Sequence, residues 1–157
     1  MATVRWLTDA EQRAWRGYRR MRTLLDLQIT RDLARDSGLS GPDYDVLSTL
    51  TEGPEPSWRA SALADRLLWS TSRLAHHIGR MERRGLVVRS DCNDDARGAT
   101  VSLSPAGRKA LEGAAPAHLE SVRRNLIDLL TPAEVDALAS IAGKVTEHLA
   151  EPHATAS

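Results

Sequence analysis

Between residues 70 and 83 the chain gathers hydroxyl, imidazole and guanidinium groups at helical spacing: Ser70, Thr71, Ser72, Arg73, His76, His77, Arg80 and Arg83. Such groups donate hydrogen bonds to phosphate oxygens and to the edges of nucleobases, the hydroxyls by rotating and arginine through a planar fork. At about 100° per residue, Leu74, Ile78 and Met81 share one narrow face. Ser72, His76, Gly79 and Arg83 lie opposite, flanked by Arg73 and Arg80. From Ser70 to Arg89 there are five arginines and one carboxylate, Glu82, so the segment carries about +4 in a chain of formal net charge zero.

An ordinary amphipathic surface helix would also show a solvated, charged face. The outward face here argues for more. None of its arginines has an acidic residue four positions on. Gly79 costs roughly 1 kcal/mol of helix propensity relative to alanine, and its outward position lets another backbone come close. Ser72, Arg73 and His76 are therefore assigned to base edges in a DNA major groove, and Ser70 and Thr71, at the helix start, to phosphate or base. Arg80 and Arg83 are assigned to phosphates, which position the protein without specifying sequence. His77, about 60° from the buried face, joins this set as a packing residue that reaches the DNA backbone.

The elements that must hold these groups follow from the neighbouring residues. Ser70 is placed to cap the helix and Gly85 to end it. Leu86-Val87-Val88-Arg89 and Thr100-Val101-Ser102-Leu103 have strand character, the second with period-2 alternation. The tip between them, Ser90 to Gly98, is too polar to be buried. Alone it would be an exposed hairpin whose local ion pair is worth well under about 1 kcal/mol. Directly after a basic helix it reads as a wing, with Arg97 entering the minor groove and Asp95 orienting the guanidinium.

Asp95-Ala96-Arg97, followed by Val101-Ser102-Leu103-Ser104 and Gly107, resembles the wing signature D-x-R, V-x-L-[ST]-x-x-G of the multiple-antibiotic-resistance regulator (MarR) family. Leu63-Ala64 through Arg80-Met81-Glu82-Arg83-Arg84-Gly85-Leu86-Val87 is similar to that family's helix-turn-helix. The similarity extends over nearly the whole chain. It implies a mainly α (α+β) fold: a winged helix-turn-helix at 39–104, with long N- and C-terminal helices at 1–38 and 105–157 forming a dimerisation region. It further implies a homodimeric transcription regulator, often a repressor released by a small lipophilic or phenolic effector.

The flanking sequence is helical. From Asp9 to about Asp36 apolar residues recur as Trp15, Tyr18, Met21, Leu25, Ile29 and Leu33. Ser40-Gly41-Pro42-Asp43 starts a second helix with Tyr44, Leu47 and Leu50 on its inner face, and Trp58-Arg59 suggests a short strand beside the wing. Ala60 to Leu68 makes the first helix of the helix-turn-helix. After Ser104-Pro105, helical spacing runs through Leu111, Ala115, His118 or Leu119, Val122, Leu126 and Leu129, with a kink expected at Pro116. Thr131-Pro132-Ala133-Glu134 is a capping box opening a last helix along Val135, Leu138, Ile141, Val145 and Leu149.

Three long amphipathic helices expose more apolar stripe than one small winged domain covers, so a second copy is the expected partner, with a monomeric bundle as the alternative. Twofold symmetry would set two recognition helices roughly 34 Å apart and select a palindromic operator in double-stranded DNA. From Leu111 onward three basic residues face seven acidic ones, which keeps DNA from that end. In the family an effector sits between the dimer helices and the winged domain. Here Trp15, Tyr18, Arg22, Tyr44, Leu47 and His118 could line such a crevice, or be plain core.

Other chemistry finds little support. Cys92 is the single cysteine, and Asp91, Asp94 and Asp95 around it oppose thiolate formation and redox sensing. The five histidines show no H-x-x-x-H or other ligand spacing, so neither metal nor cofactor is expected, and no nucleophile and base converge as an enzyme would need. No apolar run approaches the roughly 20 residues of a membrane span, and the arginines among the first twenty residues do not resemble a secretory signal. A cytoplasmic protein is expected. The remaining alternative is a winged module serving architectural or protein-interaction roles without an effector.

Arg97→Ala is expected to weaken operator binding strongly while leaving the protein folded, because the wing arginine's partners are external. Unchanged affinity in a gel-shift titration would count against the wing assignment.

Overall fold

The computed structural model describes residues 3–53, 55–90 and 98–150. Six α-helices and a three-stranded sheet follow in the order α1 (Asp9–Ser37), α2 (Gly41–Thr49), β1 (Ser57–Arg59), α3 (Ala60–Leu67), α4 (Thr71–Arg83), β2 (Val87–Ser90), β3 (Thr100–Leu103), α5 (Pro105–Asn125) and α6 (Pro132–Ala150). The sheet is antiparallel in the order β1-β3-β2, with Trp58 opposite Val101 and Val88 opposite Ser102. This is a mainly helical winged helix-turn-helix.

Local chemistry explains most boundaries. The hydroxyl of Thr8 accepts from the Glu11 amide while the Glu11 carboxylate accepts from the Thr8 amide, closing a reciprocal cap on α1. Ser40 and Asp43 do the same for α2, and Thr131 and Glu134 for α6. Gly38 leaves α1 with φ +70°, a conformation that costs glycine nothing. Leu68, which ends α3, adopts φ +55° without that freedom.

The core forms where α2, α3, α4 and the sheet meet: Val46, Leu47 and Leu50, then Leu63, then Leu74, Ile78 and Met81, closed by Val87 and Val101. Leu33 of α1 and Ala114 of α5 join it from the flanking helices. A buried carboxylate, Asp32, clamps α1 to α5 by accepting from Ser121 Oγ at 2.7 Å and Arg124 Nη2 at 3.1 Å, with Gln28 and Arg35 on its other oxygen. Those hydrogen bonds, led by Ser121, hold the Asp32 carboxyl below its ordinary pKa. No apolar periodicity signals this joint, since its acceptor and its principal donor stand 89 positions apart.

One departure from the sequence pattern concerns α5. The helix runs unbroken through Pro116, as expected, but stops at Asn125, so Leu126 and Leu129 do not extend its stripe. Leu126 swings to φ −141°, and a single 3-10 turn, Ile127–Leu129, follows, with Arg123 Nη2 donating to Asp128 at 2.6 Å across it. Leu130, whose backbone is extended, then leads the chain toward α6.

The helices leave much apolar surface uncovered. Along α1, Leu33 is buried and Leu25 and Ile29 are half-buried, while Trp15, Tyr18 and Met21 are exposed. α6 buries no residue, and its Ile141, Val145 and Leu149 are exposed.

The joint between wing and α5 is tight. Ser104 Oγ donates to Gly85 O at 2.6 Å and accepts from the Gly107 amide at 2.8 Å. A Cβ on Gly107 would overlap the Leu86 carbonyl. Gly107→Ala should therefore destabilise the fold by about 1–3 kcal/mol, seen as a lower urea midpoint at unchanged slope. An unshifted midpoint would show that the backbone yields there freely.

Candidate nucleic-acid interface

α4 presents its groups because Leu74, Ile78 and Met81 must be buried. Ser70 caps the helix, its Oγ accepting from the Arg73 amide at 3.2 Å and lying 3.3 Å from Ser72 Oγ. Thr71, Ser72, Arg73, His76, Arg80 and Arg83 are all exposed. Among the described residues, a Cβ on Gly79 would meet nothing within 4 Å beyond its own helix backbone, so this face is open. Arg83 makes no hydrogen bond or ion pair among the described residues. Glu82, the one carboxylate of the segment, accepts from the Arg89 amide at 3.2 Å and is turned toward the strand.

One edge of α4 is more constrained. The Arg73 guanidinium lies over the Trp69 ring, 4.2 Å from its centroid, within cation–π range. His77 is only 6% exposed, which corrects its placement among residues able to reach DNA. The ring is wedged edge-on against Trp69, with centroids 5.4 Å apart. Its Nδ1 meets Arg80 Nη2 at 2.7 Å. Its Nε2 stands 3.1 Å from Asp43 Oδ1, buried but poorly aligned for a hydrogen bond.

Asp43, at the first turn of α2, ties this edge to the rest of the domain. Its Oδ2 accepts from the Ser40 amide at 3.0 Å and from Arg84 Nη1 at 2.7 Å. Burial pushes its carboxyl pKa up, and the Arg84 and Ser40 hydrogen bonds pull it below the ordinary value. Burial also pushes His77 down, further than the neighbouring Asp43 raises it, and Arg80 adds to the depression. His77 is thereby held neutral near pH 7.

Sequence reasoning passed over Asp43, Trp69 and Arg84. Asp43 signalled only a helix start, Arg84 only charge, and Trp69 stands in a turn where periodicity is silent. The expected wing contacts Asp95 and Arg97, and Cys92, lie outside the described residues.

The six residues offered for an effector crevice do not come together. Tyr44 and His118 do, with ring centroids 4.3 Å apart, in a cleft of about 360 Å³ shared with Asp26, Ile29, Thr30, Leu33 and Asp45. Leu47 has no exposed surface and belongs to the core. Trp15 and Tyr18 stack at 5.9 Å with Arg22 over Tyr18 at 5.8 Å, an exposed group on a part of α1 that does not line the cleft. In the cleft, His118 Nδ1 is buried without a hydrogen-bond partner among the described residues. Burial pushes His118 below its ordinary pKa, partly opposed by Asp45, and pushes Tyr44 up. Among the described residues no group of three or more His, Cys, Asp or Glu could hold a metal ion, and no helix is long and apolar enough to cross a membrane.

A family model described as MarR family matches residues 37–98. The whole chain is similar to AbsC, a MarR family transcriptional regulator from Streptomyces coelicolor, at 40% identity over 93% of this chain and 98% of that one, with a TM-score of 0.86. It is similar also to Sco3205, a MarR family transcriptional regulator from the same organism solved in complex with DNA, at 38% identity over 98% and 97% of the two chains and a TM-score of 0.89. The fold is shared with the organohalide-sensing regulator RdhR-CbdbA1625 in its 2,4-dichlorophenol bound form, at 19% identity over 93% and 86% with a TM-score of 0.78. No curated protein matches the chain.

Two histidines held neutral by burial set a pH dependence. Their folded pKa values lie below the ordinary value of about 6.5, so as pH falls through that value the unfolded chain takes up protons first and stability drops. Calorimetry is expected to show a melting temperature a few degrees lower at pH 5.5 than at pH 7.5. His77→Asn and His118→Asn should each flatten that slope; a slope that survives both substitutions would assign it to other groups.

Proposed function

The chain belongs to the MarR family of transcriptional regulators, which are non-enzymatic DNA-binding proteins, and from that premise we propose that it works as a homodimeric repressor binding a palindromic operator and released by a small lipophilic or phenolic effector. The observation that carries the DNA-binding part is the outward face of α4: exposed Ser72, Arg73, His76 and Arg83 around an open Gly79, on a helix whose other side is sealed in the core. Ser72, Arg73 and His76 read base edges in this proposal, Thr71 and Ser70 serve the helix start, and Arg80 and Arg83 take phosphates. Arg97, with Asp95 beside it, is proposed for the minor groove. That the relative Sco3205 was solved with DNA supports the same assignment here.

The uncovered faces of α1 and α6 support the dimer. Exposed Trp15, Tyr18, Met21, Ile141, Val145 and Leu149 form apolar stripes that a twofold-related copy would bury. Residues 1–38 and 105–157 then serve as the dimerisation region and 39–104 as the DNA-binding domain. Two α4 helices roughly 34 Å apart would meet successive major grooves. For the effector, the Tyr44–His118 cleft offers aromatic walls, apolar Ile29 and Leu33, and an unpaired imidazole nitrogen that suits a phenolic hydroxyl.

Footprinting of genomic fragments with the purified protein is expected to reveal a protected inverted repeat, and sedimentation velocity a dimer. A monomer that protects no sequence would overturn the proposal. Arg83→Ala should weaken specific and random duplexes about equally and reduce the salt slope by about one counterion; a loss confined to one sequence would move Arg83 to base readout.

A further inference from the structure

Arg73, His77, Arg80 and Arg84 recur at i, i+4, i+7 and i+11, one ridge along α4. Three guanidinium groups on one ridge repel each other, and free arginine side chains sample many rotamers. Each of these is instead held: Arg73 over Trp69, Arg80 on His77 Nδ1, Arg84 on Asp43 Oδ2. Asp43 stands at the far side of the same imidazole.

We propose that His77 is a positioning residue: fixed in one tautomer between Asp43 and Arg80, it aims the Arg80 guanidinium toward a DNA phosphate. The inference rests on reading α4 as the DNA-facing helix. Arginine only donates, so His77 Nδ1 must supply a lone pair, which leaves the ring proton on Nε2 beside Asp43. The contact occupies one guanidinium nitrogen, and Arg80 remains exposed, so its other donors are available to an external oxygen. Protonation would remove the lone pair and set a cation against Arg80. The charged groups around His77 are Asp43 from α2, Arg73 and Arg80 from α4 and Arg84 at its C-terminal cap, while the Trp69 ring stands perpendicular to the imidazole. One carboxylate against three guanidinium groups does not favour a further positive charge. Holding a long side chain in place before binding is worth a factor of about two to ten in affinity.

The test titrates a labelled random-sequence duplex of about 30 base pairs, at constant ionic strength, with the full chain at pH 7.5 and at a lower pH where nitrogen-15 NMR of the folded wild type shows the His77 ring protonated. At pH 7.5, His77→Ala should bind about two- to tenfold more weakly. His77→Asn, which carries an acceptor near the Nδ1 position and does not titrate, should restore most of that loss. Lowering the pH should weaken wild type relative to His77→Asn by a similar factor, whereas titration elsewhere in the chain acts on both alike and leaves the ratio untouched. In an Arg80→Ala background, changing residue 77 should make no further difference. Nitrogen-15 NMR of wild type should show the neutral Nε2–H tautomer.

A wild-type to His77→Asn ratio that is the same at both pH values, a full effect of residue 77 without Arg80, or an Nδ1–H tautomer would each overturn the inference. The pH ratio needs no alanine variant, so misfolding of His77→Ala leaves the test intact. Wild type that ignores DNA altogether would instead sink the DNA-facing reading; binding that is present but blind to residue 77 sinks this inference alone.

Discussion

Burial of the Leu74, Ile78 and Met81 stripe is the constraint on which the rest of this molecule depends. Each of these side chains is at most 2% exposed, packed where α2, α3 and the sheet converge. Complete burial of such side chains is worth roughly 1.5–3 kcal/mol each, more than any single polar contact on α4. It fixes the rotation of the helix about its own axis. Once that rotation is set, Ser72, His76, Gly79 and Arg83 have only the outside to face. The outward chemistry is therefore a consequence of the inward packing, and a substitution that let α4 roll would disturb DNA recognition without touching a donor.

The fixed rotation also explains why buried charge is tolerated beside α4. His77 falls at the margin of the apolar stripe, too far round to escape and too polar to be ignored. Asp43 and Arg80 bracket the ring, and Arg84 satisfies the carboxylate's second oxygen. Removing one member of such a set leaves the others buried without partners, which costs more than the set contributes when complete. Asp32 repeats the arrangement at the α1–α5 joint, with Ser121 and Arg124 as its donors. Both carboxylates stand where two elements distant in sequence must meet at one angle. A nonspecific apolar contact would hold those elements together with less control over that angle.

What the sequence disclosed follows from the range of the interactions. The caps at Ser40, Ser70, Ser104 and Thr131 are made by residues three apart, so the letters alone reveal them. The α4 stripe and the β3 alternation are likewise local, and the strand at Trp58 was visible because a turn-rich segment precedes it. The Asp43–Arg84 pair spans 41 positions and the Ser121–Asp32 pair 89, and no periodicity marks either. The end of α5 was misplaced because Leu126 and Leu129 keep helical spacing after the helix has stopped. Apolar spacing records which side of the chain is oily, not whether the backbone between has turned. The residues offered for the crevice divide for a related reason: Leu47 and Tyr44 share α2, yet Leu47 faces the core and Tyr44 the cleft.

The first turn of α2 connects the two regions the proposed function requires. Gly41, Pro42, Tyr44 and Asp45 line the cleft, and Asp43, between them, holds Arg84 at the end of α4 and stands 3.1 Å from His77 Nε2. The turn is capped at Ser40 and carries Pro42 at its start, which fixes its backbone, and Tyr44 follows Asp43 directly in the chain. A carboxylate with hydrogen bonds at 2.7 and 3.0 Å has little slack; shifts of a few tenths of an ångström weaken such bonds. The wall of the cleft and the clamp on the end of α4 are thus consecutive residues of one capped helical turn, joined by covalent adjacency and not by a long relay of side chains.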